Sequence, residues 1–140
     1  MEEYATVADS HNLGQRQTVQ RAAIMTVIEE AQGPLTVGEI HARATRRLPK
    51  LGVATVYRTV KLLLEASEIH AVVLPDGQAR YESAGLDHHH HFRCRICQLI
   101  FDLPGCMMPI PDGTALPNGF VVERHEITLF GRCPNCKPKR

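Results

Sequence analysis

The five cysteines of the chain have the spacing of metal ligands. Four of them form two Cys-x-x-Cys pairs, Cys94 with Cys97 and Cys133 with Cys136, and the fifth is Cys106. Such a pair can present both sulfurs to one ion at about 2.3 Å, and two pairs complete a tetrahedron with no position left for water. The spacing therefore predicts one structural zinc ion on four thiolates, with unpaired or redox-active cysteines as the alternative. Cys106 is expected to be a buried or incidental thiol.

Four consecutive histidines, at positions 88–91, lead directly into the first cysteine pair. In an extended strand, alternation places His89 and His91 on one face and His88 and His90 on the other. A His-x-His pair on a strand can bind a metal, so the run can serve two sites. An expression tag is the alternative, but tags lie at termini and this run is internal.

A hairpin upstream of the histidines supplies further ligands. Asp76 and Gly77 form a turn between two apolar runs, and antiparallel pairing about that turn places His70 opposite Glu82, give or take one residue. The first predicted metal site consists of His70, Glu82, His89 and His91. The second predicted site consists of His88, His90, Asp102 and His125. Imidazole and carboxylate ligands suit Fe²⁺, Mn²⁺, Zn²⁺ or Ni²⁺ without selecting among them, and an ordinary surface or core role for His70 or His125 is the alternative.

Three amphipathic segments in the first half of the chain are typical of helices. They cover about residues 17–31, 37–48 and 54–66. Thr36 is placed to cap the second helix, with Glu39 at the capping-box position. The hairpin follows at 69–74 and 79–82, and three helices followed by a hairpin form a winged helix-turn-helix. Short strands are predicted further on, at 88–95, 99–103, 120–122 and 127–130.

These elements predict an α+β chain with two domains. Residues 1–83 form the winged helix, residues 84–87 a hinge, and residues 88–140 a small α/β domain that carries the four-cysteine zinc site. Charge is divided in the same way: between His11 and Lys61 eight basic residues oppose three acidic ones, a balance of +5, whereas the whole chain has a net charge of +1. A positive footprint confined to one half suits a DNA-binding domain, and a merely solvated basic face is the alternative.

Composition excludes a membrane protein. Hydrophobic residues make up 44% and charged residues 22% of the chain, and no apolar stretch approaches the roughly 18 residues of a membrane helix. The first ten residues, MEEYATVADS, contain neither a basic nor an apolar region of a signal peptide. We therefore expect a cytoplasmic protein.

Three motifs, in order along the chain, resemble those of the ferric uptake regulator (Fur) family. Residues 52–60, GVATVYRTV, resemble its recognition helix, and residues 88–97, HHHHFRCRIC, resemble its metal-binding signature. His125 followed by residues 129–136, LFGRCPNC, resembles its C-terminal zinc knuckle. The likeness spans about residues 15 to 136, which is nearly the whole chain.

The resemblance implies a homodimer, joined through the second domain, that binds palindromic operators in double-stranded DNA. It implies repression of metal-homeostasis genes when a regulatory site that includes Glu82, His89 and His91 is loaded, and structural zinc on the four paired cysteines. The DNA-binding residues that it implies are Arg21, Thr55, Tyr57 and Arg58.

Departures from the family pattern bear on the sensed metal. Pro34 stands where iron-sensing and peroxide-sensing members often carry a histidine, and residues 83–85, Ser-Ala-Gly, stand where zinc-sensing members tend to carry a cysteine. His70 can fill that vacancy. Pro109 and Pro111 interrupt the helix that normally follows the first knuckle, and its usual carboxylate ligand has no match. An acidic ligand without a cysteine favours Fe²⁺ or Mn²⁺ over Zn²⁺; a zinc uptake regulator or a peroxide-responsive regulator of the same family is the alternative.

Two other classes of function are alternatives. Zinc deaminases use H-x-E and P-C-x-x-C motifs with a water on the zinc, whereas here Glu126 directly follows His125 and four cysteines leave no position for water. A metal storage or chaperone protein would need the histidines but no recognition helix. The sequence therefore predicts a metal-responsive repressor rather than an enzyme, and metal-switched binding to a palindromic duplex separates the three classes.

Overall fold

The chain divides into two compact units. The computed structural model describes residues 7–136, with side chains from residue 14 onward. The first unit comprises the residues up to Ala31 together with Leu35–Ala84, and the second comprises Gln32–Pro34 and the residues from Gly85 onward. The division between Ala84 and Gly85 falls inside the predicted hinge. Within residues 7–136, no helix has the length and apolar character that crossing a membrane requires.

The first unit begins with three helices, α1 (Val7–Glu30), α2 (Val37–Ala44) and α3 (Val53–Glu65). The first helix starts well before the predicted residue 17. The second begins as predicted, because the Thr36 hydroxyl accepts a hydrogen bond from the Glu39 N–H at 3.2 Å. It ends four residues before the predicted position, and the chain continues in hydrogen-bonded turns in which the Arg47 and Leu48 N–H groups donate to the Ala44 carbonyl.

A single apolar cluster holds the helices together. Each helix contributes buried side chains at helical spacing: Ile24, Val27 and Ile28 from α1, Val37, Ile40 and Ala44 from α2, and Val56, Val60 and Leu63 from α3. Burying an aliphatic side chain of this size contributes about 1.5–3 kcal/mol. Val19, also on α1, is 55% exposed and lies outside this cluster. Because the inner face of α3 is committed to this core, its outer face is available to solvent.

The hairpin follows α3 as β1 (Ile69–Val73) and β2 (Ala79–Ser83). The strands are antiparallel, and His70 lies directly opposite Glu82, which is the predicted register. The turn contains Gly77 with φ of +75°, a conformation that glycine adopts without strain. The buried Arg80 guanidinium binds both carboxylate oxygens of Asp76 at 3.1 and 2.9 Å, and so ties the turn to β2.

The second unit is built on a three-stranded sheet of β3 (His89–Cys94), β4 (Ile100–Pro104) and β5 (Thr128–Gly131). The strand order is β4-β3-β5, with β3 antiparallel to β4 and parallel to β5. The strand predicted at 120–122 is wrong: an isolated bridge joins Ala115 to Val121 around a short 3-10 helix, Pro117–Gly119. That 3-10 turn is the helical content of residues 85–136, and the chain as a whole has the predicted α+β class.

Candidate metal centres and nucleic-acid interface

The two cysteine pairs meet at one end of the second unit's sheet. Cys94 ends β3, Cys97 lies in the turn after it, and Cys133 and Cys136 follow β5. Because β3 and β5 are parallel neighbours, their carboxyl ends lie side by side, and both cysteine pairs therefore lie at the same end of the sheet. The sulfurs of Cys97 and Cys133 are 3.8 Å apart, and the four sulfurs lie within 4.8 Å of one another. A zinc tetrahedron with bonds of about 2.3 Å has edges of about 3.8 Å, so the cluster has the dimensions of a closed zinc site.

The electrostatics of this cluster also suit a cation. The backbone N–H groups of Ile96 and Cys133 each donate to the Cys94 sulfur at 3.4 Å. Burial acts to raise the pKa of Cys94, but hydrogen bonds from the backbone of Cys97, Cys133 and Ile96 outweigh it and lower the pKa to about 6. The neighbouring Cys133 thiol and burial raise the pKa of Cys136 to about 12. The Cys94 thiolate thus forms readily, whereas ionisation of Cys136 is disfavoured. A bound cation would offset the repulsion between neighbouring thiolates.

His89 and His91 share one face of β3 with Asp102 of β4. The Nε2 atoms of both histidines lie 3.4 Å from Asp102 Oδ1. The Nδ1–H of His89 is placed to donate to the Asp87 carbonyl at 2.7 Å, which leaves the Nε2 lone pair directed at the carboxylate. Among the described residues, no donor makes a hydrogen bond to Asp102 Oδ1, although this atom is buried. The Nε2 lone pair of His89 repels this buried carboxylate oxygen, and a divalent cation could bind both of them together with His91.

The position of Asp102 corrects the second predicted site. From the sequence this carboxylate is expected on the face of His88 and His90, whereas the structure places it beside His89 and His91. The reason is the strand register: His91 lies directly opposite Asp102 in the β3–β4 pair. Side chains of directly opposed residues lie on the same face of a sheet.

The hairpin of the first unit holds the remaining residues of the first predicted metal site. His70 Nε2 lies 2.8 Å from Glu82 Oε1. The Glu82 side chain is buried, with 4% exposed, whereas the His70 side chain is 45% exposed. A buried carboxylate next to an imidazole can act as a structural ion pair or as two ligands of a metal. The geometry of the His70–Glu82 pair fits either role.

The other face of β3 carries a cluster that sequence reasoning only partly identifies. His88, His90 and His125 lie together, as predicted, but the fourth member is Cys106. Its sulfur lies 3.2 Å from His90 Nε2 and 3.1 Å from His125 Nε2, contacts that the sequence does not predict for this thiol. No spacing rule connects a cysteine with histidines 16 and 19 positions away. Burial and the neighbouring imidazoles of His88 and His125 lower the pKa of His90.

The outer face of α3 in the first unit carries the side chains expected to contact DNA. Tyr57 is 61% exposed, and the Arg58 guanidinium, also exposed, donates to the Thr55 hydroxyl at 3.2 Å. Arg21 of α1 forms an ion pair with Glu68 at 3.3 Å. A groove of about 560 Å³ between α1 and α3 is lined by residues that include Arg16, Gln17, Arg21, Thr55, Arg58 and Thr59. Three arginines in one open groove make a surface suited to phosphates.

Comparisons with known proteins agree with one another. Residues 12–130 match the model of the "Ferric uptake regulator family". The zinc uptake regulation protein of Mycobacterium tuberculosis (strain ATCC 25618 / H37Rv) is 30% identical over 132 residues, which cover 89% of this chain and 96% of that protein. The ferric uptake regulation protein of Bacillus subtilis (strain 168) is 27% identical over 134 residues, 92% of this chain and 90% of that protein. A solved structure described as a zinc-bound manganese uptake regulator is similar with a TM-score of 0.64 and 25% identity, over 81% of this chain and 87% of that one.

Proposed function

The chain belongs to the ferric uptake regulator family, and we propose that it is a cytoplasmic, homodimeric repressor that binds palindromic operator DNA when a regulatory metal is loaded. Members of this family are metal-responsive regulators of transcription and not enzymes. The relatives described above are named for different metals: iron, zinc and manganese. The metal that this chain senses is therefore inferred from its own ligand residues.

The observation that carries the proposal is the arrangement around Asp102. Its buried Oδ1 atom faces two imidazoles, and none of the described residues makes a hydrogen bond to it. We propose that His70, Glu82, His89 and His91 bind the regulatory metal, as the sequence predicts, and that Asp102 is a further ligand. Two carboxylates with three imidazoles suit Fe²⁺ or Mn²⁺, and Zn²⁺ is the alternative.

Zinc on the paired cysteines has a different role in this proposal. Four thiolates leave no position open, so the ion holds the polypeptide and does not exchange with the sensed metal. The fit between the 3.8 Å sulfur separation and a zinc tetrahedron supports this assignment. Its expected contribution is the folding of the second unit.

The DNA-binding role is supported by the exposed face of α3. Tyr57 and Arg58 lie near the start of the helix, opposite the buried Val56, Val60 and Leu63. A helix presented in this way can enter the major groove and bring its N-terminal side chains to base edges. Arg21 and Arg16 in the adjoining groove are suited to the phosphate backbone, which dominates affinity without reading sequence.

Dimer formation is supported by the apolar surface of the second unit. Leu129 and Phe130 on the edge strand β5 are 39% and 52% exposed. Met107, Met108 and Phe120 are also largely exposed. An edge strand with apolar side chains is a surface that a second copy of the chain would cover.

The proposed switch is a shift in population. Without regulatory metal the two winged helices of a dimer sample many orientations about the hinge, and ligation across the hinge selects a spacing that matches two half-sites. Moving an equilibrium from 1:99 to 99:1 requires about 5.5 kcal/mol of differential metal binding. A site whose ligands come from both units can supply such a difference, because only one orientation of the units brings all of its ligands to the metal.

The experiment is a metal-dependent DNA-binding measurement. Duplexes that bind the zinc-replete protein in Mn²⁺ are selected from a random library, and the affinity for the selected duplex is measured with no added metal and with buffered Mn²⁺, Fe²⁺ or Zn²⁺. We expect inverted repeats to be selected and Mn²⁺ or Fe²⁺ to raise the affinity at least tenfold. A larger response to Zn²⁺ at equal free concentration would favour the zinc regulator. Affinity that is independent of every metal would contradict the proposal.

A further inference from the structure

A short loop after α1, Gln32–Pro34, belongs to the second unit, although the residues on both sides of it belong to the first. The Asp102 N–H of β4 donates to the Gln32 carbonyl at 2.7 Å, and both Gly33 and Pro34 are buried. One edge of β4 pairs with β3. The Gln32 carbonyl therefore holds the other edge of β4, at the residue whose carboxylate lies in the proposed regulatory site.

The close packing of this loop on β4 depends on the missing side chain of Gly33. A Cβ atom at this position would lie 2.7 Å from the Ile100 carbonyl carbon and 3.0 Å from the Phe101 Cα, and it would overlap the Ile100 carbonyl oxygen. These are backbone atoms of a strand, so no side-chain rotation makes room for a methyl group. The φ angle of Gly33 lies outside the left-handed region. The position therefore needs glycine for the contact and not for its backbone conformation.

The residue that follows the loop, Leu35, is anchored in the first unit. Leu35 and Tyr81 of β2 exchange two backbone hydrogen bonds, of 3.0 and 2.8 Å, and the Leu35 side chain is part of the apolar cluster. Tyr81 directly precedes Glu82. The continuous segment Gln32–Leu35 thus bonds, through its backbone, to the two strands that carry the carboxylates proposed for the regulatory metal.

We propose that Gly33 is a positioning residue of the regulatory metal site: it lets the Gln32–Pro34 loop pack on β4, and the packed loop holds Asp102 where its carboxylate can bind the metal. This role rests on the proposed function, in which Asp102 is a ligand. The side chains of the loop offer no imidazole, thiolate or carboxylate, so the loop acts on the metal through the backbone of β4. Because coupling is reciprocal, bound metal strengthens the packing of the loop by the factor by which that packing strengthens metal binding.

The loop also gives the metal a second connection to the DNA-binding unit. Helix α1 ends at Glu30, with Ala31 between it and the loop, and it carries Arg16 and Arg21 of the basic groove. A metal ion that favours the packed loop therefore restrains the end of α1, in addition to the hinge at residues 84–87.

The test is a double-mutant cycle on the full-length, zinc-replete protein. Mn²⁺ affinity is measured by competition with a chelating dye for the wild type, Gly33→Ala, Asp102→Asn and the double variant. We expect Gly33→Ala to lower the affinity about tenfold, which is within the range typical of coupled sites. In the Asp102→Asn background its effect should be less than about threefold, because no carboxylate remains to be positioned. Equal effects in the two backgrounds would overturn the inference.

Gly38→Ala is the matched control. It adds the same methyl group to an exposed glycine of α2, where the nearest atom that a Cβ would meet is Thr36 Oγ1, at 3.9 Å. This variant should bind Mn²⁺ as the wild type does. Zinc content and thermal melting of Gly33→Ala should also match the wild type, which a glycine needed only for folding would not allow. In protein without Mn²⁺, the Asp102 amide of Gly33→Ala should exchange with deuterium about tenfold faster than that of the wild type.

A measurement on the wild type alone decides the question if Gly33→Ala folds poorly. Addition of Mn²⁺ should slow deuterium exchange of the Asp102 amide about tenfold, as followed by mass spectrometry of fragmented peptides, since metal must favour the packed loop. An exchange rate that stays the same in protein that binds Mn²⁺ would overturn the inference alone. Protein that binds no Mn²⁺ outside its cysteines would overturn the proposed function as well, so the two failures are distinguishable.

Discussion

At the scale of single residues, the two faces of β3 differ in the hydrogen bonds that their histidine nitrogens make. His89 Nδ1–H is placed to bond the Asp87 carbonyl, which leaves its Nε2 lone pair directed at Asp102 Oδ1. On the opposite face, His90 carries a proton on Nε2 and can donate it to the Cys106 sulfur. A cation would make the first arrangement attractive, whereas the second is already linked by a proton on His90. The face of His89 and His91 is therefore the one expected to respond to a hard divalent metal.

The first prediction follows from this difference. Changing His89 or His91 to alanine should leave a zinc-bound dimer whose DNA affinity no longer rises with Mn²⁺ or Fe²⁺, because the regulatory site loses an imidazole ligand. Metal titrations monitored by fluorescence anisotropy of a labelled duplex measure the response.

The matched controls are His88→Ala and His90→Ala on the other face of the same strand. We expect both to retain most of the Mn²⁺ response, although His90 is buried and its removal should lower the stability of the second unit. If the His88 variant loses the response and the His89 variant keeps it, the assignment of the two faces is wrong.

The second prediction concerns the DNA-contacting side chains. Tyr57→Ala and Arg58→Ala should weaken operator binding while the fold and metal content stay intact, because both side chains are exposed and outside the core. Loss of a base contact costs about 1–3 kcal/mol at one position, whereas loss of a phosphate contact weakens binding to all sequences and reduces the salt dependence by about one charge. Affinity measured against several salt concentrations separates the two roles.

Arg124→Ala is the control for the loss of one positive charge. Arg124 lies in the second unit and is 82% exposed beside Glu126. This variant should bind operator DNA as the wild type does. Normal affinity of both the Tyr57 and the Arg58 variant would mean that another element reads the DNA.

At the scale of elements, β3 organises all the proposed metal sites of the second unit. Its alternation separates the histidines, and its antiparallel pairing with β4 brings Asp102 to one face. Its parallel pairing with β5, from His91 with Thr128 to Cys94 with Gly131, brings the cysteine pairs together at its end. A sheet of three short strands has little core of its own, and the buried side chains of this unit include Cys94, Cys133 and Ile100. Its folding is therefore expected to depend on metal.

The third prediction tests that dependence. Cys133→Ser should remove the structural zinc and abolish the stable dimer, because the buried Cys133 sulfur is one of the ligands through which zinc would join the end of β5 to the end of β3. Elemental analysis and sedimentation velocity measure the two effects. Cys106→Ser, which removes a thiol outside the paired cysteines, should remain dimeric. A well-folded, zinc-free dimer of the Cys133 variant would contradict the assignment.

The parts of this structure that sequence reasoning predicts are those set by local patterns. The Asp-Gly turn determines that His70 pairs with Glu82, and the period of a strand separates His89 from His90. The face of Asp102 could not be obtained in this way, because it depends on the number of residues in the turn between β3 and β4. The proximity of Cys106 to His125 depends on the path of an irregular, proline-containing connection, for which no periodicity exists.

At the scale of the whole molecule, the proposed switch couples two equilibria, metal binding and DNA binding. If ligation across the hinge restricts the winged helices to a spacing that fits DNA, then DNA in turn must favour the conformation that binds metal. Coupling between two sites is reciprocal in free energy: the factor by which metal raises DNA affinity equals the factor by which DNA raises metal affinity. Typical couplings are about 1–3 kcal/mol, or about 5–150-fold.

The last prediction is that metal and DNA raise each other's affinity for the protein by the same factor. The affinity of the zinc-replete protein for Mn²⁺, measured by competition with a chelating dye, should rise on addition of the selected duplex by the factor found in the DNA titration. A scrambled duplex of equal length should produce a much smaller rise, because nonspecific binding to phosphates does not require one fixed spacing of the two recognition helices. In the His89→Ala variant both factors should fall to about one, since the ligand that couples the units is gone. If metal strengthens DNA binding while DNA leaves the metal affinity unchanged, the metal must act on another equilibrium, such as association of protomers, and the dependence of DNA affinity on protein concentration would then identify it.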